Sequence, residues 1–404
     1  MSEGISPKGW YTMGQLHVSD EFDSVIARID DIAEVLQENA EKSEERGRLT
    51  DESQAALRES GALAVGIPAS LGGYEFSPRQ LIDAIARMSY HDAGAGWNFM
   101  VLQMISGTTA AYLDSAAAAE IFPDVRGGRY ALVAGQGTRF GQAARADGGY
   151  RVSGHWQFAS GMAMATHIHT AGLCEETGEA LLFTVPVEQA TLLGNWDVMG
   201  LRGTSSIDYT MDDVFVPEAY SFPVSTTTPR TGGAVYHLGV IDAAMIGHTG
   251  WAIGVGRRLL DEMRAYAVRK SGQPGAATGT GQYYAEFAQA EARMRSAAAW
   301  ISEVWTGIEA ALDRGEKLSA EQETLLRLSL NNVTDAMREV SHTVYKWAGT
   351  TALRRGVLQR LFRDVHAGTQ HVTSGPAVLQ DCGKWLSGLA PQARWDFLQL
   401  DSPA

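Results

Sequence analysis

Gly149-Tyr150-Arg151-Val152-Ser153-Gly154-His155-Trp156-Gln157-Phe158-Ala159-Ser160-Gly161 is the stretch on which the reading of this chain turns. Apolar and polar residues alternate through Tyr150–Gly154, the period of a half-buried strand. Gly148-Gly149 supplies the turn of a hairpin leading into it. Downstream, Ile168-His169-Thr170-Ala171 and Ala180-Leu181-Leu182-Phe183-Thr184-Val185 repeat the strand pattern. Residues 130–222 therefore read as a compact antiparallel β unit, with the Thr/Pro/Gly-rich segment Ser225–Gly233 as the connection out of it. On either side the period changes to 3.6. Before the β unit, Val25, Ile26, Ile29, Ile32, Val35 and Leu36 keep helical spacing, as do Leu81, Ile82, Ile85 and Met88, and Gly66-Ile67-Pro68 through Leu71-Gly72-Gly73 is a loop between such helices. After it, Trp251–Val268, Tyr283–Leu312 and Glu321–Gly349 read as long helices whose recurring apolar faces suit a four-helix bundle. The expected order is an N-terminal helical domain (1–129), a central antiparallel β domain (130–233) and a C-terminal helical bundle (234–404), an α+β chain that is mostly α.

Bulk properties narrow the function. A net charge of −14 opposes a nucleic-acid binder, which needs a basic face for phosphate. Two cysteines, Cys174 and Cys382, form no metal-ligand spacing and read as reduced thiols, so no metal is expected. Met1–Asp20 has no apolar h-region, and the Ala-rich run between Asp114 and Phe122 is too short to span a bilayer. No membrane partner is expected, and a cytoplasmic location is.

Three local sequences then carry a resemblance. Gly61-Ala62-Leu63-Ala64-Val65-Gly66-Ile67-Pro68 with Leu71-Gly72-Gly73-Tyr74, the hairpin Gly149–Gly161, and Met199-Gly200-Leu201-Arg202-Gly203-Thr204-Ser205-Ser206 followed by Asp213-Val214-Phe215-Val216-Pro217 lie in order along nearly the whole chain. Together they resemble the acyl-CoA dehydrogenase superfamily, which implies that family's fold. Two departures separate the chain from the dehydrogenases. Where those enzymes carry a catalytic glutamate late in the sequence, the stretch Arg363-Asp364-Val365-His366-Ala367-Gly368-Thr369-Gln370-His371-Val372 puts Ala367 or Val372. A carbon acid needs a positioned base. The arginine motif that holds the FAD pyrophosphate is also missing after Arg269, which leaves FMN and FAD both open.

The late stretch and Gly154–Gly161 look like the oxygenase components of two-component flavin monooxygenases. That resemblance implies reduced FMN or FAD delivered by diffusion from a separate flavin reductase, O2, a small aromatic or heteroaromatic substrate, and a homotetramer or homodimer. An acyl-CoA dehydrogenase-like dehydrogenase or oxidase with an unrecognised base is the alternative, and a non-catalytic binding protein on the same scaffold is a third reading.

The resemblance also distributes roles. Ser160 falls at the position beside the flavin N5, although Ser-Gly is common turn chemistry as well. His371 is the candidate acid–base residue, able to accept the proton of a phenol or indole or to keep an oxygen adduct of the flavin protonated. A buried histidine satisfied by a carbonyl is the structural alternative. His366 shares no helical face with His371, which makes the pair a poor metal site. Ala134, Gly135, Phe158, Ser160 and Thr369 are expected at the flavin. His91, Trp97, Arg202 and Thr204 are expected at the substrate, with core packing as the competing reading for Trp97 and His91 and an ion pair for Arg202. The glycines at 135, 137 and 141 lead into a hairpin instead of a helix, so they are no dinucleotide fingerprint.

Overall fold

The computed structural model describes residues 19–401. The segment before it, read above as lacking a leader, lies outside the described residues. Six helices come first: α1 (Asp20–Asp31), α2 (Ala33–Arg46), α3 (Asp51–Glu59), α4 (Pro78–His91), α5 (Ala93–Tyr112) and α6 (Ser115–Ile121). Local chemistry sets their ends. Ser77 and Gln80 form a reciprocal capping box on α4 with Pro78 in its first turn, and Asp92 caps α5 by accepting the Ala95 N–H.

The sheet follows, with β1 (Val133–Ala146), β2 (Gly149–Ala159), β3 (His167–Cys174), β4 (Ala180–Pro186), β5 (Thr191–Leu192), β6 (Ile207–Pro217) and β7 (Ser221–Pro223) in the order β5-β6-β2-β1-β3-β4-β7. One expectation is corrected: the sheet is mixed, because β1 and β3 pair in parallel, Val133 opposite His167. The remaining pairings are antiparallel. After β2 the chain crosses beneath the start of β1, where the Thr166 N–H bonds the Leu132 carbonyl at 2.8 Å, and joins the far edge of β1. Alternation along a strand carries no information about the direction of its neighbour, so the sequence could not show this. The antiparallel pairing of β1 and β2 brings Ser160 to the end of the sheet at which β1 begins. Trp156 anchors the sheet core, stacked on Tyr209 with centroids 5.3 Å apart and donating to the Ala171 carbonyl at 2.9 Å.

The last third holds α7 (Gly239–Lys270), α8 (Gly281–Asp313), α9 (Ala320–Ala348), α10 (Val357–Gly368) and α11 (Pro376–Leu386). Helix α7 packs against α4, α5 and α9, and 78% of its most apolar window is buried. Long helices of this kind owe their stability to such packing more than to propensity.

The segment 199–206 locks sheet and bundle together. Leu201 and Ser205 adopt left-handed backbone (φ 54° and 49°). The Leu201 N–H donates to the buried Asp364 carboxyl of α10 at 2.6 Å. Gly200 lies so close to the Arg363 carbonyl that a Cβ there would sit 2.1 Å from its oxygen. Arg363 in turn bonds the Met199 carbonyl and pairs with Glu44 of α2 at 2.7 Å. Burial pushes the Asp364 carboxyl up to about 7, against the pull of the Leu201 N–H. A carboxyl raised in the folded state contributes stability that is present below its unfolded value of 3.8 and lost as pH rises through about 7. The neutral Asp364→Asn variant keeps an acceptor for Leu201 and escapes this loss. Its melting temperature relative to the parent should rise as pH goes from 3.8 to about 7 and level off above, measured by thermal melts at a series of pH values.

Candidate active site

The β2–β6 ladder shifts register between Trp156 and Ala159, and the bulge at Phe158 (φ 64°) turns that ring outward, 64% exposed. Its N–H is held by Asp208 at 3.3 Å, and its ring stands edge-on to Trp196. The same bulge points Ser160 inward, where it meets the first turns of α5. There Trp97 Nε1 donates to Ser160 Oγ at 3.0 Å, Ser160 Oγ lies 2.7 Å from Ser206 Oγ, Ser206 Oγ lies 2.6 Å from Thr204 Oγ1, and Thr204 donates to the Leu201 carbonyl at 2.8 Å.

The direction of every proton in this chain follows from its ends. A carbonyl only accepts and an indole N–H only donates. Thr204 has therefore given its proton to Leu201 and must accept from Ser206. Ser206 must in turn accept from Ser160. Ser160, with its proton committed to Ser206 and one lone pair to Trp97, presents its remaining lone pair. It can accept from a bound molecule and cannot donate.

Facing this polar wall is a cluster of four rings. Trp97 meets Trp251 at 5.1 Å, His248 at 5.2 Å and His371 at 6.1 Å, each edge to face, while His248 and His371 lie tilted at 3.9 Å. Gly368, the last residue of α10, makes room for them: a Cβ there would lie 2.4 Å from Trp251 and 3.1 Å from Trp97. Trp251 is fixed by donating to the Ala93 carbonyl at 2.9 Å. Desolvation among these rings holds the His371 imidazole down to about 4, and burial together with the neighbouring His371 holds His248 well below the ordinary histidine value. Both rings are neutral at pH 7.

Of the residues singled out from sequence, Ser160, Thr204, Trp97 and His371 converge here, and Thr369 caps α10 two residues before His371. Ala134 and Gly135 lie at the start of β1, at the Ser160 end of the sheet. Ala134 is fully buried, and Gly135 abuts the His169 carbonyl, so only their backbone is available to a ligand. Two residues are engaged elsewhere. His91 contacts Asp30 of α1 at 2.8 Å instead of lining the pocket, and Arg202 bonds the carbonyls of Glu44 and Val198 and lies 3.5 Å from Asp197. His366 stacks on His342 at 5.0 Å and packs on Phe362. Sequence reasoning missed Ser206, His248, Trp251 and Gly368. Ser206 and Gly368 stood inside quoted stretches, whereas His248 and Trp251 lie in a long core helix.

Residues 246–375 match the family described as acyl-CoA dehydrogenase, C-terminal domain. A crystal structure of a 3-HSA hydroxylase from Rhodococcus superposes with a TM-score of 0.85 over 93% of this chain and 98% of that one at 23% identity. The chain has the acyl-CoA dehydrogenase fold. It is 28% identical to an indole-3-acetate monooxygenase of Pseudomonas putida, over 83% of this chain and 86% of the relative. It is 27% identical to the oxygenase component of an FADH2-dependent resorcinol hydroxylase of a Rhizobium species, over 92% and 96%. Within that fold the chain is a flavin-dependent monooxygenase.

The polarity of the hydroxyl chain is testable. Ser206→Ala removes the acceptor of Ser160 and the donor of Thr204. It should lower stability by roughly 1–3 kcal/mol and weaken reduced-flavin binding, read by denaturant melts and anaerobic flavin titration. Thr204→Val should preserve the Ser160 geometry better, since it breaks the chain one step further away.

Proposed function

We infer that the protein is the oxygenase component of a two-component system. It takes reduced flavin from a separate reductase and hydroxylates a small aromatic or heteroaromatic compound with O2. One observation carries this reading: a wall of hydroxyls that ends in an acceptor, Ser160, faces a cage of two indoles and two neutral imidazoles, with no carboxylate in the place of a dehydrogenase base. Asp364, the carboxyl of α10 nearest that place in sequence, is committed to the Leu201 N–H.

The donor set suits a reduced flavin. Ser160 offers a lone pair to an N–H, the exposed Phe158 offers an aromatic face, and backbone groups at the start of β1 and around Thr369 lie at the same end of the sheet and bundle. When bound, reduced flavin supplies the two electrons with which O2 yields one oxygen atom for the substrate and one for water. The protein residues do the rest. Trp97 and Trp251 wall a flat substrate and exclude water from it. His371 Nδ1 accepts from the Thr373 N–H at 3.4 Å and lies 2.9 Å from the Thr373 hydroxyl, so the proton of this neutral ring resides on Nε2. His371 is thus a donor toward the pocket.

The exposed apolar side chains Val372, Leu379, Leu386 and Leu389, on and around α11, suit a homodimer or homotetramer. A cytoplasmic location fits a partner that delivers flavin by diffusion.

Mixing the protein with reductase, NADH, flavin and phenolic or indolic compounds should yield hydroxylated product. Acyl-CoAs should not bleach oxidised flavin under anaerobic conditions, and bleaching would reassign the protein as a dehydrogenase. His371→Ala should fold, lose product formation by ~10²–10⁴, and release more hydrogen peroxide per reduced flavin consumed. A variant that melts lower yet stays well coupled would make His371 purely structural.

A further inference from the structure

We propose that His248, on α7, is the group that accepts the ionisable proton of the substrate, an aromatic O–H or ring N–H, and that His371 is its complementary donor. This rests on reading the pocket as an aromatic-hydroxylation site.

The division follows from hydrogen-bond accounting. His371 has one lone pair as a neutral ring, on Nδ1, and Thr373 occupies it through its N–H and lies within reach through its hydroxyl. What His371 shows the pocket is an N–H, so it cannot take a proton there without breaking its tie to Thr373. His248 is different. Among the described residues neither of its ring nitrogens has a hydrogen-bond partner, and its ring is only half-buried, against His371 and the edge of Trp97. A neutral imidazole always carries one acceptor nitrogen.

Among the described residues, the carboxylates around α7 are engaged elsewhere. On α7 and the elements packed against it, Asp92 faces Arg360, Asp261 holds Arg257, Asp242 holds Arg327, and Asp364 holds the Leu201 N–H. His371 is the titratable neighbour that acts on His248, and both are kept neutral by desolvation. The adjacent pair can carry one positive charge and not two. When a substrate O–H or N–H is ionised, its electron pair stays on the substrate and enriches the ring to be oxidised. The proton adds to the free nitrogen of His248, and the imidazolium is stabilised by the adjacent anion. It returns the proton to water after turnover through its exposed edge.

The test uses 4-nitrophenol and its methyl ether 4-nitroanisole, which fill the same space and differ in the transferable proton. Binding is measured by equilibrium dialysis to the protein without turnover, and folding of each variant is checked by its melt. The parent should prefer the phenol by roughly tenfold or more, the size of one buried hydrogen bond. His248→Leu should abolish the preference, His371→Leu should retain it, and His248→Gln, whose amide oxygen also accepts, should restore much of it. Absorbance of the bound probe should show phenolate in the parent at a pH where the His248→Leu complex still shows phenol. Loss of the preference in His371→Leu with survival in His248→Leu would overturn the assignment, as would a parent that binds both probes equally. Failure of both probes to bind the parent would instead overturn the aromatic pocket itself.

Discussion

The Asp364 carboxyl, 3% exposed within α10, takes the Leu201 N–H at 2.6 Å, and both walls of the site are positioned by that contact. The segment 199–206 leaves the sheet layer, bends through two left-handed residues and rests its backbone on that of α10. Once it is seated, Thr204 and Ser206 stand behind Ser160, while the end of α10 delivers Gly368 and, three residues later, His371 to the opposite side. Arg363 and Arg202 tie the same segment to α2, so three parts of the chain share one clamp. A buried carboxyl is an expensive clamp, and its elevated proton affinity records the expense. The geometric result is that a hydroxyl after a strand and an imidazole after a helix both meet the Trp97 ring.

The two walls are chemically unlike. On the sheet side the hydrogen bonds run one way, from indole N–H through three hydroxyls to a carbonyl, and the polarity of Ser160 is decided three residues away. On the helical side desolvation lowers the proton affinity of both imidazoles, which rest neutral. The proposed chemistry would use both: oriented hydrogen-bond partners for a flavin and aromatic rings against a flat substrate.

Ser160, Thr204, Trp97 and His371, which the structure brings together, each sit in or beside a motif whose neighbours have little freedom. The sharp turn at Ser160-Gly161 and the Gly-Thr pair before His371 both mark places where the backbone must come close to something. His91 and Arg202 lie apart from this cluster, as the structural readings weighed for them in sequence allowed. A helix-terminal histidine and a loop arginine look alike in sequence whether they line a pocket or tie down an N-terminal helix, and Asp30 and Glu44, which settle the matter, lie 61 and 158 residues away. His248 and Trp251 were hidden inside a 32-residue helix whose composition is that of any core helix. Gly368 stands in that Gly-Thr pair, but the rings it makes room for, Trp97 and Trp251, come from distant parts of the chain.

The sequence by itself determined the order of helices, strands and helices, the absence of a carboxylate at the dehydrogenase position, and the hydroxyl and imidazole types available for chemistry. These are local properties, set by periodicity, turn residues and identity. Tertiary structure alone decided that β3 joins β1 in parallel, that Ser206 orders the protons behind Ser160, and that His248 lies 3.9 Å from His371 with its nitrogens unclaimed. Each of those facts joins residues on different elements. Direction, donor order and vacancy are properties of a contact, and a contact exists only once packing has brought both partners to the same place.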